Sequence, residues 1–184
     1  MGKLKKMKNK LIDVIFQPFP QVGQRIKKDE DKNIILDSKS GYTLYDDKEN
    51  FPSIFENIFN VLVITEKYRF IFEVKGHNKI ANDPRYRWNN ADIKGVLKCF
   101  CSPDDRRIIL PSGIHDYMLE FKAEIYAKIK YVCTPDEFRR LTSDIFIMLC
   151  EEQGFSKMKS KLMGNLVDCF QKYFQKRKWR SLDG

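Results

Sequence analysis

The chain has no apolar run long enough to cross a bilayer. The longest, such as Val61-Leu62-Val63-Ile64, fall far short of the roughly 20 residues a helical span needs. The opening lysines lead into no apolar segment with a small-residue cleavage site, so a secretory signal peptide is not expected. A disulfide framework is equally unsupported. The cysteines (Cys99, Cys101, Cys133, Cys150 and Cys169) are odd in number and two lie in apolar helical patterns, which fits a reducing cytoplasm. Cys99-x-Cys101 could contribute to a metal site, but no second Cys-x-x-Cys and no His pair completes it. Internal repeats, low-complexity segments and recognised nucleic-acid motifs are missing as well.

What remains is a core-forming composition. Of the 184 residues 42% are hydrophobic and 13% aromatic, enough for one ordinary domain and too much for a disordered chain. The net charge of +9 favours polyanionic partners: nucleic acid, an anionic membrane surface or a phosphorylated ligand. That charge crowds the two ends, at Lys3, Lys5, Lys6, Lys8 and Lys10, and again at Lys172, Lys176, Arg177, Lys178 and Arg180. Near the second end, Tyr173, Phe174 and Trp179 interleave with the cations, a pattern that could grip nucleic acid. The plainer reading is two solvated basic ends.

Along the chain, residues 1–10 read as a flexible basic arm, 11–180 as a single domain and 181–184 as a tail. Leu11–Phe16 forms a short helix or strand that Pro18 and Pro20 terminate, because proline has no N–H to donate. Ile34–Leu36 is a short strand candidate. Ile54–Phe59 reads as one helical turn. The clearest β signal is a hairpin: Val61–Thr65, a tight turn at Glu66-Lys67, then Tyr68–Val74, in which Tyr68, Phe70, Phe72 and Val74 alternate with Arg69, Ile71 and Glu73. Gly76–Asn90 is polar and irregular; with His77, Tyr86 and Trp88 it could wall a site. Ile93–Phe100 is a strand or short helix, and Ile108–Leu110 another apolar piece.

From Ser112 the pattern turns helical. Expected helices cover 112–129, 134–152 and 156–176. Thr134-Pro135-Asp136-Glu137 is a capping box with proline at the first helical position. Phe138, Leu141, Ile145, Met148 and Leu149 give the second helix its buried stripe, and Gly154 ends it. In the third helix Met158, Leu162, Leu166, Phe170 and Phe174 are expected to face inward, beside Val167 and Tyr173. The predicted fold class is therefore α+β, with a small antiparallel sheet in the N-terminal half packed on a three-helix C-terminal half.

The candidate chemistry lies in Pro111-Ser112-Gly113-Ile114-His115-Asp116-Tyr117-Met118. His115 falls near the centre of an apolar helical face, and Asp116 points about 100° away from it. Antiparallel packing of the next helix would bring Asp144 to within about one turn of the level of His115. A carboxylate on an imidazole fixes its tautomer and steadies its cationic form, as a general base requires. The alternative is a structural His–Asp hydrogen bond between two core helices.

The order His115-Asp116-Tyr117-Met118 followed by Ser143-Asp144-Ile145-Phe146 resembles an uncharacterised family encoded mainly by bacteriophages and prophages. Its members carry Thr-Asp-x-Ala-Ser-Val-Pro, then His-Asp-Tyr-Leu-Tyr, then Ala-Asp-x-x-Phe. The first motif corresponds here to Asn89–Lys94, with Asn89 where the family has Asp and Lys94 where it has Pro; Asp92 could substitute from close by. The resemblance spans roughly residues 60–180. It implies a phage protein in the host-cell cytoplasm or on the virion. Asn89, Asp92, Tyr117 and Trp88 are then supporting residues around the site. A fainter similarity is to secreted-type phospholipases A2, which place His-Asp on one helix and another Asp on an antiparallel partner. That similarity implies His115 as base, Asp116 as ligand of a divalent cation such as calcium, and Asp144 as the orienting carboxylate. The glycine-rich calcium loop and the disulfides of that family are missing.

Three function classes follow. One is a His-Asp hydrolase acting on phospholipid or another cell-envelope substrate. The second is a non-catalytic virion component or accessory protein that binds a host protein. The third is a nucleic-acid-binding protein using the basic ends.

Overall fold

The computed structural model describes residues 9–24, 30, 53–76, 85–88, 105–174, 179 and 181–183. The basic arm up to Lys8, the Ile34–Leu36 and Ile93–Phe100 elements, His77 and the Asn89–Lys94 motif lie outside the described residues. Of the expected arm, Asn9 and Lys10 are described. The Lys67 N–H donates to Asn9 Oδ1, and the Glu66 N–H donates to the Lys10 carbonyl.

The architecture is α+β, as expected. Strands β1 (Leu11–Gln17), β4 (Phe59–Thr65) and β5 (Arg69–Val74) form an antiparallel sheet in the order β1-β4-β5. β4 and β5 are the predicted hairpin. Val63 pairs with Phe70 and Val61 with Phe72, so the buried residues of both strands share one face. Three short strands, β2 (Val22–Gln24), β3 (Ser53–Phe55) and β6 (Arg87–Trp88), form a second sheet in the order β2-β3-β6. The expected helical turn over Ile54–Phe59 is corrected here. Ser53–Phe55 is a strand whose side chains are all buried, and Phe59 already opens β4. An apolar run this short carries no period that separates strand from helix.

Among the described residues four α-helices follow: α1 (Arg106–Glu120), α2 (Lys122–Ala127), α3 (Pro135–Glu152) and α4 (Lys157–Phe174). The helix expected over 112–129 begins earlier and is broken. Asp105 caps α1 by accepting from the Arg107 N–H, and Pro111 sits inside the helix. The chain leaves α-helical geometry at Phe121 before α2 resumes. α3 opens with the predicted capping box, Thr134 Oγ1 accepting from the Glu137 N–H while the Glu137 carboxylate accepts from the Thr134 N–H. It closes at Gly154, which takes φ +90° while the Phe155 N–H reaches back to the Cys150 carbonyl. That left-handed position is the one glycine fills at helix ends without a Cβ penalty.

The main core lies between the inner face of the first sheet and helices α1 and α3, joining Val61, Val63, Phe72, Ile114, Met118, Phe138 and Leu149. An aromatic group links the second sheet to α1. Phe55 packs edge-on to Phe59 at 4.9 Å and lies 4.4 Å from Trp88, and the Trp88 indole N–H donates to Ser112 Oγ. Gly113 makes this approach possible. A Cβ there would stand 2.7 Å from Trp88 Cζ2 and 2.8 Å from Phe55 Cζ, both rigid ring atoms. Gly113→Ala should therefore destabilise the fold by about 1–3 kcal/mol in urea denaturation, despite alanine's better helix propensity. A stabilised variant would mean the aromatic layer is loose.

One helix face departs from expectation. The buried residues of α4 are Ser160, Met163, Gly164 and Gln171, with Val167 partly buried, whereas Met158, Leu162, Phe170 and Tyr173 are exposed. The 3.6-residue period was legible; its inward side was not. Ser160 and Gly164 let α4 approach α3 closely beside the buried Met163, and a Cβ on Gly164 would overlap the Ile147 side chain. Close approach at Ser160 and Gly164, together with Met163, selects the buried side of α4.

Candidate functional site

His115 sits on α1 where that helix meets α3 and α4, and is 8% exposed. Its Nε2 lies 2.7 Å from Gln171 Nε2, and Gln171 is 1% exposed. An amide N–H donating to Nε2 puts the ring proton on Nδ1, which faces Asp116 Oδ1 at 3.5 Å. Gln171 Oε1 is then buried with no hydrogen-bond partner. Turning the amide over would offer Oε1 to an Nε2–H instead. In both arrangements a buried amide occupies the nitrogen that a general base would present to water. Phe146 closes the ring edge-on at 5.5 Å.

The expected partner Asp144 is not among these contacts. It is exposed and stands in the wall of an open cleft of about 940 Å³ bordered by the start of β1, the outer side of α3 and part of α4. The reason is helical phase. Phe138, Leu141, Thr142, Ile145 and Leu149 set the inward face of α3, and Asp144 lies one residue, about 100°, off Ile145. The structure thus joins His115 to Asp116 and Gln171, and carries Asp144 to a different surface.

Asp116 is partly exposed and, among the described residues, no group of three His, Cys, Asp or Glu side chains is arranged to hold a metal ion. Two supporting residues are core. Trp88 is 2% exposed in the aromatic layer, and the Tyr117 hydroxyl donates to the Glu73 carbonyl at 2.7 Å. Burial pushes the Tyr117 phenol up to about 12, so it stays a neutral donor at physiological pH. Asn89 and Asp92 lie outside the described residues. Cys133, Cys150 and Cys169 are thiols.

Sequence reasoning missed the strongest polar group of the helical half. Arg139 is 2% exposed, and its guanidinium donates to both the carboxylate and the backbone carbonyl of Asp168 on α4. Its Nε has no hydrogen bond and lies 3.5 Å from Asp136 Oδ1. A charged residue one place after Phe138 on the inward stripe was the available signal, because a buried cation needs a partner.

No family model, curated protein or solved structure matches the chain. The fold and the site define an α+β protein with a buried histidine between helices and an amphipathic helix whose apolar side faces out.

Proposed function

We propose that this is a non-catalytic binding protein, in which His115 is a structural link between α1 and α4 and the outer side of α4 is the contact surface. The observation that carries the reading is the burial of His115 Nε2 against Gln171. A hydrolytic base needs that atom within reach of water and substrate. Neither the 940 Å³ cleft nor a smaller one of about 410 Å³ beside Phe19 and Arg106 has His115 in its wall. The phage setting of such an accessory or virion role rests on the two short motifs at His115–Met118 and Ser143–Phe146.

Two measurements test the proposal. The protein should release no fatty acid from mixed phospholipid vesicles, with or without calcium. His115→Ala should lower unfolding stability by about 1–3 kcal/mol, through the loss of a buried hydrogen bond and the stranding of Gln171. Calcium-dependent release that His115→Ala abolishes in a folded protein would overturn it.

A further inference from the structure

The outer side of α4 is built from Met158, Leu162, Leu166, Phe170 and Tyr173. Met158 is 81% exposed, Leu162 38%, Phe170 52% and Tyr173 70%. At 100° per residue these side chains fall within an arc of roughly 120° that runs the length of an 18-residue helix, about 27 Å. Lys159 enters the arc near one edge, and its ammonium stands 4.8 Å from the centre of the Phe155 ring. Scattered exposed apolar residues need no explanation, but a row of them along one helix does. Here the stripe is not a surface left over after burial, because the opposite side packs Ser160, Gly164 and Gln171 into the protein. The charges of α4 are mostly positive. Lys157, Lys159, Lys161 and Lys172 stand against a single carboxylate, Asp168, which is bound to Arg139. Lys161 and Lys172 lie along one border of the apolar arc, and the Lys172 ammonium stands 5.4 Å from the centre of the Tyr173 ring.

We infer that α4 is an in-plane anchor for an anionic lipid bilayer surface, lying along the headgroup boundary with its apolar stripe sunk and its lysines on lipid phosphates. The inference rests on the reading of α4 as the contact surface and names its partner. An apolar arc with a lysine border and an aromatic ring at its edge is the pattern of helices that lie in the membrane interface. No helix among the described residues is long and apolar enough to span, so the contact is with the surface. A second copy of the chain is the poorer occupant. In an antiparallel pair, stripe against stripe would set the Lys161 and Lys172 borders of two copies side by side, and like charges at such a contact oppose it.

The test uses the full chain and sedimentation with vesicles of phosphatidylglycerol mixed with phosphatidylcholine, against phosphatidylcholine alone. The wild type should bind the anionic vesicles and not the neutral ones. The basic ends also attract anions, so the decisive variant is Met158→Ser with Leu162→Ser, which leaves every charge in place. It should lose at least 10-fold in affinity in 0.3 M salt, where surface electrostatics are screened. In a Leu162→Trp variant the new indole should blue-shift on binding, and brominated acyl chains should quench it. Binding that ignores the serine variant, with no shift of that tryptophan, would reduce the attraction to the basic ends and overturn the anchor. Absence of vesicle binding, together with a dimer that the serine variant dissolves, would overturn the lipid partner and leave α4 a contact surface. Phospholipid hydrolysis would overturn the non-catalytic reading itself.

Discussion

Asp168→Ala should lower the unfolding free energy by about 3–5 kcal/mol, because it leaves the Arg139 guanidinium buried with its main counter-charge gone. Arg139 is 2% exposed and reaches out of α3 to the carboxylate and carbonyl of Asp168. Asp136, the other carboxylate near it, is 79% exposed and stands at 3.5 Å, so solvent screens most of its attraction. The backbone carbonyl of residue 168 survives the substitution and still accepts from the guanidinium, but it carries no charge, and the Arg139 Nε is already without a hydrogen bond. The loss should appear as a lower urea midpoint with an unchanged slope. The double variant Arg139→Met with Asp168→Leu should recover most of the stability, since a well-packed apolar pair avoids the cost of desolvating two ions. A loss below about 1 kcal/mol in the single variant would mean that Arg139 escapes to water and that the α3–α4 contact is held by packing alone.

The elements that were legible in the sequence are those whose cause is local. The β4–β5 hairpin announces itself by alternation, and the opening of α3 by a capping box written in consecutive residues. Its end at Gly154 is equally local. The start of α1 was hidden because Pro111 reads as a stop. A proline inside a helix removes one backbone bond, and packing of Ile108, Ile109 and Leu110 into the protein offsets that loss. The second sheet escaped notice because strands of two or three residues have no period to read. For the candidate site the sequence supplied the residues and not their pairing. Whether Asp144 or Gln171 meets His115 depends on the rotation of two helices about their axes, and a 100° step decides it. The inner side of α4 depends likewise on which face lets backbones approach, which apolar count alone does not reveal.

The same ambiguity attended Trp179, and its resolution sets the other large expected effect. In sequence it sits among Lys178 and Arg180 and looks available to stack on a base. In the structure it is 4% exposed, belongs to the main core and meets Phe138 edge-on with ring centres 5.9 Å apart. Phe138 in turn packs on Tyr126 at 5.6 Å, so the indole covers the junction of α2 and α3. Removing it exposes Phe138, itself fully buried, and opens a void at that junction. Trp179→Ala should therefore cost about 3–5 kcal/mol, the range for deleting a buried large aromatic. Trp179→Phe should cost distinctly less. The indole N–H is buried without a hydrogen bond, so phenylalanine gives up volume and no polar contact. Calorimetric melting of the two variants separates a packing role from a stacking one. Unchanged thermal stability in Trp179→Ala, coupled with lost retention on single-stranded DNA, would return the residue to the surface and revive the nucleic-acid reading.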